Sequence, residues 1–338
     1  MSIVKAGRRM LRKLIFGDTL LPHGVTLGLA EPQAEIAVWL EGLGAPVDVT
    51  ERISMACAAP FTLCMAFDEE QNPDRREIRR LRLKFCERGG RKRVLGELSL
   101  SPSERVLLGG VTVHLFRVRQ TKDHCLPRAR LWAHDLLRAC RNWRRTDASA
   151  LKMSLKGMRA MTVMFIRPHP VVLVSHAQDG GNIFPMNLMG DLGCGYFAFA
   201  LVDSRAAALG VERAGAVALS SVPFAQALLA FQLAPNHFRA SADWKSLSFV
   251  TRTSTAFGIP VPGFARRVRE LKIVYAQTLG SHRFFVAKIV RDDGPSAECE
   301  TLHLIDGIYQ SWRVRDRRAE RESSLATDAM NKRGVYSG

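Results

Sequence analysis

Arg167-Pro168-His169-Pro170-Val171-Val172-Leu173-Val174-Ser175-His176 opens the stretch that decides the fold. It continues through Ala177-Gln178-Asp179-Gly180-Gly181-Asn182 and Ile183-Phe184-Pro185-Met186-Asn187-Leu188-Met189-Gly190-Asp191 to Tyr196-Phe197-Ala198-Phe199-Ala200-Leu201-Val202-Asp203. Residues 171–174 form a short β-branched run, held extended at its start by Pro168 and Pro170. Asp179-Gly180-Gly181-Asn182 supplies the positive-φ residues a hairpin turn requires. Residues 196–202 are apolar without interruption, the pattern of a strand buried on both faces. The stretch therefore predicts strand, tight turn, loop and strand.

This order resembles the flavin reductase-like, FMN-binding split-barrel family. In that family Pro-x-Pro-Val leads into a strand, an Asp-Gly turn follows, and an Asn-x-x-Pro-aromatic-Ser loop embraces the flavin. The corresponding loop here is Asn182-Ile183-Phe184-Pro185-Met186-Asn187, with Met186 in the aromatic position and Asn187 in that of the Ser. Two further blocks fall in family order. Leu279-Gly280-Ser281-His282-Arg283-Phe284-Phe285-Val286 resembles the Gly-Ser/Asp-His segment and its strand, followed by Ala287-Lys288 where the family has Gly-Glu. Leu302-His303-Leu304-Ile305-Asp306-Gly307-Ile308-Tyr309 resembles the closing strand and its Gly-x-Tyr.

The resemblance covers about residues 155–312. It implies a mainly β fold with a few helices: a split barrel over residues 151–312, preceded by a separate β-rich accessory domain over residues 1–150. It implies FMN, or FAD, as cofactor, NAD(P)H as electron donor, and a homodimer with the flavin near the subunit interface. The function that follows is hydride transfer from NAD(P)H to flavin; the alternative is a split barrel holding flavin or haem without turnover.

The chemistry asked of the residues is modest, because a flavin carries its own redox chemistry and the protein binds, orients and tunes it. Phe184, Pro185 and Met186 offer an apolar wall for a planar ring. A buried phosphate requires donors and a cation, and Asn187, Ser204 and Arg205 are the candidates, with Asn182 and Ser281 in the flanking family blocks. Arg205 is either a phosphate ligand or a surface residue at a helix start, and Phe184 either ring wall or core. His282 has three open roles: capping the strand turn, contacting the cofactor, or shuttling a proton. His169 and His176 read as edge or turn residues. The sequence contains no Gly-x-Ser-x-Gly elbow, no His-Glu-x-x-His site and no nucleotide-binding Gly-rich loop.

The chain has 338 residues, 47% hydrophobic and 24% charged, sufficient for two domains with ordinary cores. Its seven cysteines form no Cys-x-x-Cys pair and read as reduced thiols in a cytoplasmic protein. No apolar run approaches the roughly 18 residues that span a bilayer, so no membrane partner is expected. The net charge of +17 is spread evenly. Residues 1–150 carry 26 basic and 17 acidic side chains, a balance of +9, and the remainder contributes +8. A nucleic-acid footprint is normally a clustered patch, so nucleic acid is not expected. The arginines of residues 138–145 read as a solvated face.

Residues 1–21 carry five cations and no acid before Asp18, with Met10, Leu11, Leu14 and Ile15 at helical spacing; a docked basic helix or arm is expected. Residues 25–120 read as mostly β, with a hairpin over 81–100. Pro127 opens a helix through about Trp143. Pro22-His23-Gly24-Val25-Thr26-Leu27 is loosely similar to Pro168-His169-Pro170-Val171-Val172-Leu173. A polar connection over 146–154 marks the expected boundary, and a charged tail is expected from residue 313.

Overall fold

The computed structural model describes residues 24–30, 35–68, 72–74, 76–88, 92–144, 151–294, 299–315 and 324–326. The expected N-terminal helix, and most of the connection and tail, lie outside them. After β1 (Val25–Leu29) come β2 (Ile36–Glu41), β3 (Val47–Asp48), β4 (Ile53–Ala58), β5 (Phe61–Asp68), β6 (Arg82–Glu87), β7 (Val94–Leu108) and β8 (Val111–Asp123). Helices α1 (Arg128–Trp143) and α2 (Leu155–Met164) lead to β9 (His169–Pro170). The second half runs β10 (Val172–His176), β11 (Asn182–Met186), β12 (Met189–Gly193), β13 (Tyr196–Val202), α3 (Ala206–Ala214), β14 (Ala216–Ser221) and α4 (Ala227–Gln232). It closes with β15 (Thr251–Thr253), β16 (Pro260–Pro262), β17 (Val268–Leu279), β18 (His282–Asp292), β19 (Thr301–Ile305), α5 (Gly307–Arg315) and β20 (Ser324–Ala326).

Strands β2–β8 form a seven-stranded sheet in the order β3-β2-β6-β7-β8-β5-β4. The second half forms another, β11-β10-β14-β17-β18-β13-β12. Both must curl. A flat seven-stranded sheet is roughly 29 Å wide at its usual spacing. Yet β11 and β12, at opposite edges, are joined through only Asn187 and Leu188, a link that spans at most about 11 Å. Residues 49–52 impose the same constraint between β3 and β4. Each sheet is therefore a split barrel whose edges approach without pairing.

The two strand orders coincide when β2–β8 are matched in sequence to β10–β14, β17 and β18. The chain thus builds one plan twice. The loosely similar segments before β1 and β10 also correspond: β1 and β9 lie on opposite sides of β19. The halves meet reciprocally. A Cβ added at Gly280, in the β17–β18 turn, would lie 2.4 Å from Pro60 Cδ in the β4–β5 turn, and one added at Gly109, in the β7–β8 turn, 2.6 Å from the Tyr196 hydroxyl at the start of β13. Between these contacts Cys57, Val113 and Leu115 of the first half pack with Ala198, Phe284 and Val286 of the second in one buried cluster. A two-fold interface makes such paired contacts.

β10 and β13 are buried along nearly their whole length, because one face fills the barrel and the other meets a covering layer. Ser154 starts α2, its hydroxyl accepting from the Gly157 N–H at 3.1 Å. The hairpin turn follows the sequence: Asp179, Gly180 and Gly181 all have positive φ. The end of the chain differs from expectation. Residues 307–315 are helical, and Arg313 is buried against Glu35 at 2.6 Å, so the charged tail does not begin at 313.

Candidate functional site

A cavity of about 590 Å³ lies where the second barrel meets α1, α2 and the first half, within the size range of small-ligand pockets. Pro185 can sit in β11 because that strand pairs only with β10, so its missing N–H costs no ladder bond. Beyond it, Met186, Asn187 and Leu188 cross toward β12 along the cavity wall. Leu201 and Val202 end β13 there, and Arg205 follows at the cap of α3. The Arg205 guanidinium lies 4.8 Å over the Phe238 ring.

His282, the first residue of β18, closes the wall opposite Ala58 of the first half. Its Nδ1 lies 2.8 Å from the Ser281 hydroxyl and 3.5 Å from the Ala58 N–H. A backbone N–H can only donate, so Nδ1 is the acceptor and the neutral ring carries its proton on Nε2. Burial, then the nearby Arg205, push the His282 pKa down to about 4 against the pull of Asp203. His237 also lines the cavity. Its Nε2–H donates to the Pro185 carbonyl at 2.8 Å, and burial followed by Arg205 lowers its pKa to about 4. Both rings are neutral at pH 7.

The remaining wall is charged. Arg138 and Arg141 of α1, and Arg144 that caps it, line the cavity together with Arg205 and one carboxylate, Asp306. Arg138 donates to Thr162 Oγ1 and lies 3.7 Å from Asp306. Burial raises the Asp306 pKa to about 6, opposed by Arg138 and by the Ile308 N–H that donates to it at 2.8 Å. Among the described lining residues, four guanidinium groups and one carboxylate face the cavity, a set that can receive an anionic ligand. The apolar wall comes from Met158, Met161 and Phe165 of α2 with Val171 and Phe231.

Of the residues expected from the sequence, Pro185, Met186, Asn187, Arg205 and His282 line this one cavity. The others lie outside its lining. The buried amide of Asn182 donates to the Asn236 and Arg239 carbonyls at 3.0 and 2.9 Å and accepts from the Ile183 N–H at 2.8 Å. Phe184 is core, its ring 4.7 Å from that of His237. Ser204 is exposed. Ser281 orients His282 and accepts from the Ala59 N–H at 3.2 Å. His169 lies in the edge strand β9 and His176 ends β10 at the turn, as expected, and both are buried. Arg138 and Arg141 are a correction to the solvated-face expectation, being half-buried in the cavity wall, whereas Arg144 lines the cavity but is exposed. Their spacing of three was the available signal. Asp306 and His237 carried no local sequence signal.

The cavity thus combines an apolar wall, several guanidinium groups and a neutral imidazole, a lining suited to a ligand with an apolar part and an anionic part. No family model matches the sequence, and no curated protein matches it. Among solved structures the chain is similar to the NADH:FAD oxidoreductase SgcE6 of Streptomyces globisporus C-1027, at 15% identity over 44% of this chain and 88% of that one, with a TM-score of 0.39. It is similar to BorF, the flavin reductase component of a bacterial two-component tryptophan halogenase, at 14% identity over 49% and 96% of the two chains, with a TM-score of 0.39. An FMN-binding protein from Thermus thermophilus matches at 20% identity over 41% and 83%, with a TM-score of 0.36. Each of these matches spans less than half of this chain.

Proposed function

We propose that this protein is an FMN-binding oxidoreductase of the flavin reductase type, with NAD(P)H as hydride donor. One observation carries the reading. The loop, Arg205 and His282, separated by up to about a hundred residues, converge on one cavity that also gathers the α1 arginines. FMN bound there would supply the hydride-accepting ring and its redox chemistry. The protein's part is binding and tuning. Arg205 neutralises the phosphate, and the α1 arginines raise the local potential for a second anionic nucleotide. The Nε2–H of His282 offers a neutral donor toward the ligand. Leu201, Val202 and the α2 side chains exclude water and strengthen those polar contacts.

In this reading residues 151–312 form the ligand-binding barrel. The first half takes the place a partner subunit would occupy, so the cavity forms within one chain. The seven free cysteines suit a reducing cytoplasm.

The test is to purify the protein without added cofactor, record its spectrum, and titrate it with FMN. Saturable binding of one FMN per chain, followed by NAD(P)H consumption, is the expected result. A haem spectrum would favour the non-catalytic alternative, and no saturable flavin binding would remove the reductase reading.

A further inference from the structure

Helix α1 is amphipathic with its faces reversed. Its inward face carries His134, Arg138, Arg141 and Asn142, spaced four, three and one along one side; His134 is buried and the other three line the cavity. The opposite face carries Trp132, Leu136, Cys140 and Trp143, at spacings of four, four and three. Trp132 is 64% exposed, Leu136 51% and Trp143 83%. A helix at a protein surface ordinarily buries its apolar stripe and solvates its charges. Here the charges are held inside by Asp306, Thr162 and the cavity, and two tryptophans and a leucine stand in solvent.

The flank of this stripe is basic. Arg128 is exposed at its start, and Arg144, which also lines the cavity, is exposed at its end. The single acid of the helix, Asp135, accepts from Arg159 Nε at 2.6 Å.

We propose that the outer face of α1 docks on an anionic phospholipid surface, with Trp132, Leu136 and Trp143 in the interfacial layer and the flanking arginines against the headgroups. Three arguments favour lipid over a second copy of this chain. The three side chains expose roughly 450 Å², about half of what each partner contributes to a stable protein interface. A second copy would bring the same arginines and the same positive net charge against them, whereas an anionic bilayer is complementary. Paired tryptophans on a short basic helix suit the boundary between headgroups and acyl chains, where an amphipathic ring is wet at one end and dry at the other. The docking is peripheral: no helix among the described residues is long and apolar enough to cross a membrane.

The test uses the full chain with vesicles of phosphatidylcholine alone, or with a third of the lipid replaced by phosphatidylglycerol or phosphatidylserine. Co-sedimentation is expected with the anionic vesicles and not with the neutral ones. A blue shift of tryptophan emission should accompany it. Leu136→Glu with Trp143→Ala should lower the partition at least tenfold while leaving the melting temperature unchanged, since both side chains are largely in solvent. Two results would overturn the proposal. One is equal partition of variant and wild type onto anionic vesicles, which would place binding elsewhere on the basic surface. The other is absence of partition together with a concentration-dependent dimer, abolished by the same variant in sedimentation velocity, which would assign the face to a second copy.

Discussion

Gly280→Ala tests the join between the halves, and its cost can be worked from the turn. Gly280 has φ of +58°, a conformation that costs an L-residue about 1–2 kcal/mol. The new Cβ would lie 2.4 Å from Pro60 Cδ and 2.5 Å from the Ala59 carbonyl oxygen. Neither atom is the end of a flexible side chain, so the two turns must part. Parting them breaks the Ser281 N–H bond to the Ala59 carbonyl, 2.8 Å long, and a bond of that kind contributes about 1 kcal/mol. The expected loss is about 3 kcal/mol, or a fall in melting temperature of about 5 °C for a chain of this size. Gly215→Ala is the control. Gly215 ends α3 at φ of +63° with nothing within 4 Å of its added Cβ, so it carries the conformational cost alone, about 1–2 kcal/mol. Denaturant unfolding of both variants isolates the clash as their difference. Equal destabilisation of the two would mean that the β17–β18 turn does not touch the first half, and the assignment of Ala58 to the cavity wall would fall with it.

Asn182→Ala should cost about 2–4 kcal/mol of unfolding free energy, because it strands the buried Asn236 carbonyl and the buried Ile183 N–H; a loss of FMN affinity at unchanged stability would instead make Asn182 a ligand contact. Arg205→Ala should weaken FMN binding by about 1.5–3 kcal/mol in calorimetry, the scale of a charged hydrogen bond, and Arg205→Lys should recover part of it. Asp306→Asn should bind FMN more tightly than wild type above about pH 7, by removing the one carboxylate of the wall. The raised pKa of about 6 means that wild-type Asp306 gains its proton as pH falls through that value. The two proteins should therefore converge below about pH 5, and a pH-independent difference would exclude titration of Asp306 as its origin.

Local pattern made most of the second barrel legible. Residues 196–202 were read as a buried strand and are β13; Asp179 to Gly181 read as a turn and joins β10 to β11. Both signals are contained in the segment that carries them. The family-like loop was legible as a place, since Pro185, Met186 and Asn187 reach the cavity. It was not legible residue by residue: the Asn182 amide satisfies carbonyls of residues 236 and 239, partners more than fifty positions away. The α1 arginines were misread for a physical reason. The rule that apolar faces pack and charged faces solvate assigns the wrong side of a helix whose charges line a cavity. The repeated strand order left only six loosely similar residues as its trace, because alternation with period two fixes a strand's faces while leaving side-chain identity nearly free.

The two copies of the plan differ at the elements that line the cavity. Where the second half inserts α3 between β13 and β14, with Arg205 at its cap, the described residues between β5 and β6 form no helix. Where the β17–β18 turn reads Gly280-Ser281-His282, the β7–β8 turn reads Gly109-Gly110 and carries no side-chain donor. Where β11 is five residues long and leads the loop into the cavity, β3 has two. At the matching places the described residues of the first half thus show no helix, no imidazole in the β7–β8 turn and a shorter strand. What it keeps are the surfaces that meet the second barrel: Ala58 against His282, the β4–β5 turn against Gly280, and Tyr196 against its own Gly109. In a symmetric pair of identical barrels each subunit must be both site and support, so a substitution that improves one role acts on the other as well. Joining two barrels in one chain removes that coupling. The connection between them carries α1, a helix that presents arginines to the cavity of the second barrel and tryptophans to the outside.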